Sequence, residues 1–155
     1  MPNGMGKSKI IYTTINGYPE DIFFEDIVNL YSEIFEDADV EFFKNRLKQK
    51  PDSLSVLAYS NNKIVGFKIG YPYNENTFYS WVGGVLLKFR RQGIASQLAK
   101  IQEAYAKENG FTKLRTKSMN TYKPMMILNH KNGFDITKFY TNTKGQAKLV
   151  FEKAL

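Results

Sequence analysis

The sequence has no cysteine and a single histidine, His130. The first absence removes disulfides, thiolate nucleophiles and cysteine-bound metals together. With only one imidazole, a multi-histidine metal centre is excluded as well. No run of about 18 apolar residues occurs, so no membrane-spanning helix is expected. Residues 1–9 are polar and contain glycine, without the apolar stretch of a secretory signal. A flexible start over residues 1–8 and a cytoplasmic location are the expectations. The stretch Ile10 to Phe43 holds nine acids and neither Lys nor Arg.

The remainder of the chain is the reverse, with six acids and twenty bases from Lys44 onward, inside a formal net charge of +7. Such a division suits either two solvated faces of unlike sign or a cleft with a cation-binding and an anion-binding end. With 155 residues, 43% of them hydrophobic and 15% aromatic, the chain is of a size to fold around one core. Residues 9–155 are expected to form a single domain.

Hydrophobic spacing gives the element order. Lys9 to Ile15 reads as a strand ended by Asn16-Gly17-Tyr18-Pro19. Ile22, Phe23, Ile27, Leu30, Ile34 and Phe35 recur at helical spacing, and a second helix presents Val40, Phe43 and Leu47 behind an N-cap at Asp39. Leu54–Tyr59 and Ile64–Ile69 form a hairpin through Ser60-Asn61-Asn62-Lys63. A third interior strand, Thr77 to Leu87, carries Gly83-Gly84, which marks a bulge or a close backbone approach. Ile94, Leu98, Ile101 and Tyr105 define a helix ending near Gly110. A strand at Phe111–Thr116, a short helix at Met125–Lys131 opened by Pro124, and strands at Phe134–Thr141 and Gln146–Glu152 complete the chain. The order β-α-α-β-β-β-α-β-α-β-β predicts an α/β (α+β) domain with a mixed, mostly antiparallel sheet of about seven strands and about four helices.

The segment with the most chemistry is Val85-Leu86-Leu87-Lys88-Phe89-Arg90-Arg91-Gln92-Gly93-Ile94-Ala95-Ser96. A strand gives way to a basic turn with one glycine, and an amphipathic helix follows. The unbonded N–H groups of a helix's first turn carry partial positive charge, and a glycine there lets a ligand reach the main chain. Such a turn can cradle a diphosphate. On composition alone it also fits an ordinary basic strand-to-helix turn.

The element order and this segment together resemble the GNAT superfamily of N-acetyltransferases. Its pyrophosphate loop reads Gln or Arg, two residues, Gly, one residue, then Gly or Ala. Arg90, Gly93 and Ala95 fill those places, with Gln92 and Ile94 also common there. Tyr122-Lys123-Pro124-Met125-Met126-Ile127-Leu128-Asn129-His130-Lys131-Asn132-Gly133-Phe134 resembles the superfamily's penultimate helix and the Gly-Phe after it. The resemblance covers the chain from Lys9 onward. It implies a GNAT-like fold, acetyl-CoA as co-substrate, no metal, and direct acyl transfer in a ternary complex. It further implies that Val85, Leu86, Leu87, Arg90, Arg91, Gln92, Gly93, Ile94, Ala95 and Ser96 contact the cofactor, with Asn120 and Asn129 beside its pantetheine arm. This sequence departs from the superfamily's pattern at Leu87, where many members have Pro, and at Tyr122, where many have Asn. It departs also at Asn129, a position often held by a general-acid Tyr.

The amine must lose a proton to attack a thioester, so a base is required. No acid lies between Glu75 and Glu103, which removes the base common on that strand in relatives. Glu33, Glu36, Asp37 and Glu41 are the available carboxylates. Glu36 is taken as the base and Tyr122 as the acid, with Tyr140 behind it; each also fits a surface or packing role. His130 reads as an exposed residue. The expected acceptor is an amine-bearing, cationic small molecule or peptide, used by a monomer or homodimer. An acyl-CoA-binding protein without turnover is the alternative. A nucleic-acid module is ranked below both, because the bases are scattered along the chain.

Overall fold

Nearly all residues of the hairpin strands Leu54–Ser60 and Lys63–Pro72 are apolar or small on both alternating sides, and this near-continuous run produces a sheet with two buried faces at its centre. The computed structural model describes residues 9–119 and 123–155, so the expected flexible start at residues 1–8 lies outside the described residues. The elements are β1 (Ile10–Asn16), α1 (Asp21–Ile34), α2 (Val40–Lys48), β2 (Leu54–Ser60), β3 (Lys63–Pro72), β4 (Thr77–Val85), a 3₁₀ turn (Leu87–Phe89), α3 (Ile94–Glu108), β5 (Lys113–Met119), α4 (Lys123–Lys131), β6 (Asp135–Thr141) and β7 (Ala147–Ala154). Their order is the one read from the sequence. The sheet has seven strands in the order β1-β2-β3-β4-β5-β7-β6. Strands β4 and β5 are parallel, whereas β1–β2, β2–β3, β5–β7 and β6–β7 are antiparallel. Among the described residues, no helix is long and apolar enough to cross a membrane.

Local chemistry explains several boundaries. Asn61 and Asn62 both take positive φ (51° and 66°), the conformation a tight two-residue hairpin turn needs. Asp39 caps α2, its Oδ1 accepting from the Phe42 N–H at 3.0 Å. Several strand ends differ from expectation, β3 running on to Pro72, β5 to Met119 and β7 to Ala154. Strand β4 stops at Val85 rather than Leu87, because the Leu86 carbonyl accepts from the Phe89 N–H at 2.8 Å and turns the chain. Strand β5 begins at Lys113 rather than Phe111, because the N–H groups of Thr112 and Lys113 both donate to the Asn76 carbonyl (2.9 and 3.1 Å).

Contacts divide the chain into two compact units, Met1–Gly70 with Val82–Gln102, and Tyr71–Trp81 with Glu103–Leu155. In the first, Phe43 of α2 stacks on Tyr31 of α1 at 4.3 Å and meets Phe67 of β3 edge-on at 6.5 Å. Ile27, Leu30, Leu47 and Phe67 are buried around them, each side chain contributing about 1.5–3 kcal/mol. On the reverse face of β3, a Cβ at Gly66 would lie 3.2 Å from Ile94 and 3.4 Å from Leu98 of α3. Helix α3 therefore sits on the face opposite α1 and α2. In the second unit, Phe78 packs against Phe111 (5.3 Å) and Tyr105 (5.8 Å), with Leu114, Leu149 and Phe151 buried. Lys153 closes this side on Glu103 at 3.0 Å.

Lys68 shares its face of β3 with Gly66, and loss of hydration pulls its ammonium down to about 8. Its folded-state value thus lies below its unfolded one, so the unfolded chain holds the extra proton between roughly pH 8 and 10.5 and stability rises with pH across that window. Lys68→Met is expected to be more stable than the parent by about 1–3 kcal/mol at pH 7 in urea unfolding, with the gain shrinking as pH climbs through the window. A gain independent of pH would mean that the charge is not what costs stability there.

Candidate active site

The last bond of β4 joins the Leu86 N–H to the Val65 carbonyl at 2.8 Å. Beyond it the chain makes the 3₁₀ turn, and the Arg90 Nε–H reaches back to the Val85 carbonyl at 3.0 Å. Arg91 and Gly93 then adopt left-handed backbone, with φ of 64° and 80°. That conformation suits glycine and costs an ordinary residue about 1–2 kcal/mol, so holding Arg91 there stores strain at the turn. The first α3 bond runs from the Gln97 N–H to the Gly93 carbonyl at 3.0 Å. The N–H groups of Ile94, Ala95 and Ser96 precede it and have no partner in the helix ladder. No acid stands in the first turn of α3 to compete for them. Nothing lies within 4 Å of where a Cβ on Gly93 would point, so the main chain is open to approach. Arg91, Gly93, Ala95 and Ser96 are exposed, while Ile94 is buried and anchors the turn.

The loop residues expected from the sequence thus lie together in one contiguous turn, a candidate anion cradle of main-chain donors and flanking arginines. It fits a diphosphate on two counts, the open main chain at Gly93 and the acid-free helix start. Both arginines are exposed, and Arg90 is held by its bond to the Val85 carbonyl.

The glycine pair upstream is explained by close approach. A Cβ on Gly83 would lie 3.0 Å from the Phe67 carbonyl oxygen, and one on Gly84 would lie 3.1 Å from the Ile34 side chain. Ile34 ends α1, so the acidic turn Glu36-Asp37 follows two residues after the contact with β4. Glu36, Asp37 and Glu41 are exposed. Glu33 and Asp26 instead line a cavity of ≈ 260 Å³ with Asn29, Leu30, Asn62, Lys63 and Ile64. Tyr59 donates to Asp26 Oδ2 at 3.0 Å, and burial followed by that carboxylate raises its phenol far above its usual value. Burial, then Asp37, raises Tyr31 as well, so both phenols stay neutral.

In the second unit, Asn129 on α4 is 7% exposed, and its side-chain Nδ2 has no hydrogen-bond partner among the described residues. A buried donor without an acceptor costs about 1–3 kcal/mol, and a ligand carbonyl would relieve it. Asn120 and Tyr122 lie outside the described residues. His130 is exposed, and the Tyr140 ring is occupied by the ammonium groups of Lys117 (5.6 Å) and Lys138 (5.5 Å). The parallel β4–β5 ladder pairs only Thr77–Tyr79 with Lys113–Arg115, although both strands run on. Sequence reasoning did not give the register of this ladder, because strands far apart in the chain leave no local signal of how they pair. It also missed the Lys68 burial and the Arg90–Val85 bond. Among the described residues, no three His, Asp or Glu side chains gather as a metal site.

A profile described as the acetyltransferase (GNAT) family matches residues 22–134. The chain belongs to the GNAT acetyltransferase family. The matched span takes in the cradle, α3, β5 and α4. The fold is similar to a GNAT family acetyltransferase from Elizabethkingia anophelis solved with acetyl-CoA bound, at TM-score 0.77 and 23% identity over 96% of this chain and 100% of that one. Ard1 from Thermoplasma volcanium is similar at TM-score 0.75 and 18% identity, covering 93% of this chain and 97% of that one. The ribosomal-protein-S18-alanine N-acetyltransferase from Escherichia coli is similar at 0.76 and 15% identity, covering 93% and 94%. No curated protein sequence matches the chain.

As a GNAT member, the chain is expected to gain about 2.7 kcal/mol of stability from acetyl-CoA at a hundredfold its Kd. Gly93→Val should lose most of that gain. Because φ is 80° at Gly93, the variant also carries a backbone cost, so Gly110→Val (φ 87°, also with nothing within 4 Å) serves as its strain-matched control. Thermal shifts with and without acetyl-CoA check this: Gly110→Val keeps the gain, and an equal gain in Gly93→Val would remove the diphosphate from this loop.

Proposed function

We propose that the chain is a cytoplasmic N-acetyltransferase, with residues 9–155 as one catalytic domain, moving the acetyl group of acetyl-CoA to a primary amine of a small molecule or peptide. The observation that carries this reading is the open, acid-free start of α3 behind Arg90, Arg91 and Gly93. In this proposal the N–H groups of Arg91, Gln92, Gly93, Ile94, Ala95 and Ser96 hold the diphosphate. The main chain of Val85, Leu86 and Leu87 guides the pantetheine arm, with Asn120 and the orphaned Nδ2 of Asn129 donating to its amides. Acetyl-CoA supplies the activated carbonyl: a C–N bond forms to the amine as the C–S bond breaks. Glu36, directly or through water, takes the proton that the attacking amine must lose. Tyr122 returns a proton to the departing thiolate, and the Val85 N–H faces the carbonyl oxygen. A direct transfer is supported by the chain having no cysteine to carry an acyl group.

The acceptor in this reading is cationic, drawn by the nine acids between Ile10 and Phe43. The contact between Ile34 and Gly84 supports it, since it ties the acidic turn to the end of β4. The name of the E. coli relative, an alanine N-acetyltransferase acting on a ribosomal protein, supports a peptide amine as one acceptor class. A second reading, cofactor binding without turnover, is favoured by Asn129 standing where a proton-donating Tyr is common. Release of CoA thiol across a panel of amines and peptides separates the two, and a protein without cysteine adds no thiol background. Thiol release above hydrolysis with at least one amine is the result expected, and none with any amine would leave the binding reading. The double variant Glu36→Gln, Glu41→Gln is expected to raise the acceptor KM several-fold more than the acetyl-CoA KM, most strongly at low salt. An unchanged acceptor KM would make the acidic stretch a solvated face.

A further inference from the structure

The sheet ends on β6, which among the described residues pairs with β7 alone. Its other edge presents a row of unpaired backbone N–H and C=O groups. Six of its seven residues are exposed, so no described element covers that edge. Single exposed apolar residues are ordinary, but here two share one short strand, Ile136 at 53% and Phe139 at 61% exposure. Three residues apart, they would point to opposite sides of a regular strand. The ladder is irregular between Ile136 and Lys138, with Ile136 opposite Phe151, Lys138 opposite Val150 and Phe139 opposite Leu149. Because Phe151 and Leu149 are two apart on β7, the extra residue, Thr137, brings Ile136 and Phe139 to one side.

Asp135, Lys138 and Tyr140 take the other side, opposite Glu152, Val150 and Lys148. The Lys138 ammonium lies 5.5 Å from the Tyr140 ring centroid. Asp135 makes no ion pair among the described residues and stands opposite another acid. Glu152 itself is engaged by Arg115 (3.3 Å) and Lys113 (3.8 Å), which leaves Asp135 as the carboxylate in want of a cation.

We propose that β6 is the interface of a two-fold dimer, pairing antiparallel with β6 of a second copy. Centring the pairing between Thr137 and Lys138 sets Ile136 opposite Phe139 of the other copy, and Asp135 opposite its Tyr140, each contact occurring twice. A two-fold axis perpendicular to the sheet keeps each side of the strand on its own side, so apolar meets apolar. On the reverse side, the lysine already lying over Tyr140 stands beside the incoming Asp135. A partner strand must offer two apolar residues on one side and a cation on the other, at this spacing. The same strand run in the opposite direction offers all three. A bulge and a lysine often serve to blunt an edge; here the bulge aligns the apolar pair and the lysine supplies the charge. Pairing consumes the β6 edge of both copies, so this contact closes at two chains.

Seven residues a side make a small interface, so a Kd on the order of 10 μM is expected. Sedimentation equilibrium of the whole chain from about 1 μM to 1 mM spans that value. The mass should rise from the 17.9 kDa of one chain to twice that. Phe139→Lys, Asp135→Lys and Lys138→Asp should each weaken the dimer about tenfold or more. An equimolar mixture of Asp135→Lys with Lys138→Asp should dimerise again, because the mixed pair restores an acid beside a base at both ends. Phe42→Lys, at a ring of comparable exposure (52%) on α2, should dimerise as the parent does. Far-UV circular dichroism like the parent's confirms that each variant is folded, and the charge-reversal mixture decides the matter even if Phe139→Lys is not. A parent that stays a single chain up to about 1 mM overturns the proposal, leaving the edge to a different protein. A dimer that none of the β6 variants weakens overturns it by placing the contact on another surface. A mixture no tighter than either reversal alone overturns the register and with it the two-fold pairing.

Discussion

The candidate site depends on how β4 ends. A strand satisfies its backbone polar groups sideways, a helix along its own axis, and the residues between must satisfy neither pattern for a few positions. Here the change is made by a 3₁₀ turn, a side chain bonded to the strand's last carbonyl, and two left-handed residues. The result is a row of N–H groups directed outward at the start of α3, with Ile94 buried beneath to hold them in place.

Around that turn, the first unit is built to bring α1 and α3 to opposite faces of the same two strands. Gly66 allows α3 to settle on β3, and Gly84 allows α1 to settle on β4. A side chain at either position would push a helix away. Lys68 and Gly83 lie between these contacts. Loss of hydration at that ammonium costs stability, and among the described residues no ion pair to Lys68 offsets it.

Much of this was legible from the sequence because it is local. Asp39 declared its helix by capping chemistry, Asn61-Asn62 declared a turn by tolerating positive φ, and the glycine of Arg90-x-x-Gly93-x-Ala95 marked where the backbone goes left-handed before α3. What was not legible is non-local. The glycine pair announced a tight contact but could not name Phe67 and Ile34 as the neighbours. The start of β5 shifted because Asn76, distant in the chain, takes the N–H groups of Thr112 and Lys113. Ile136 and Phe139, three apart in sequence, came to one side of β6 only through the irregular register against β7.

The central claim is that main-chain N–H groups at the start of α3 hold the cofactor's diphosphate. Since no proline interrupts residues 85–98, every position reports through its own amide. Backbone 1H–15N spectra recorded during titration with CoA, and again with pantetheine, which lacks the diphosphate, test the claim directly. The account predicts that CoA moves the amides of Arg91 to Ser96 most and that pantetheine leaves them near their free positions. Equal shifts with both ligands, or CoA shifts centred away from this turn, would contradict it.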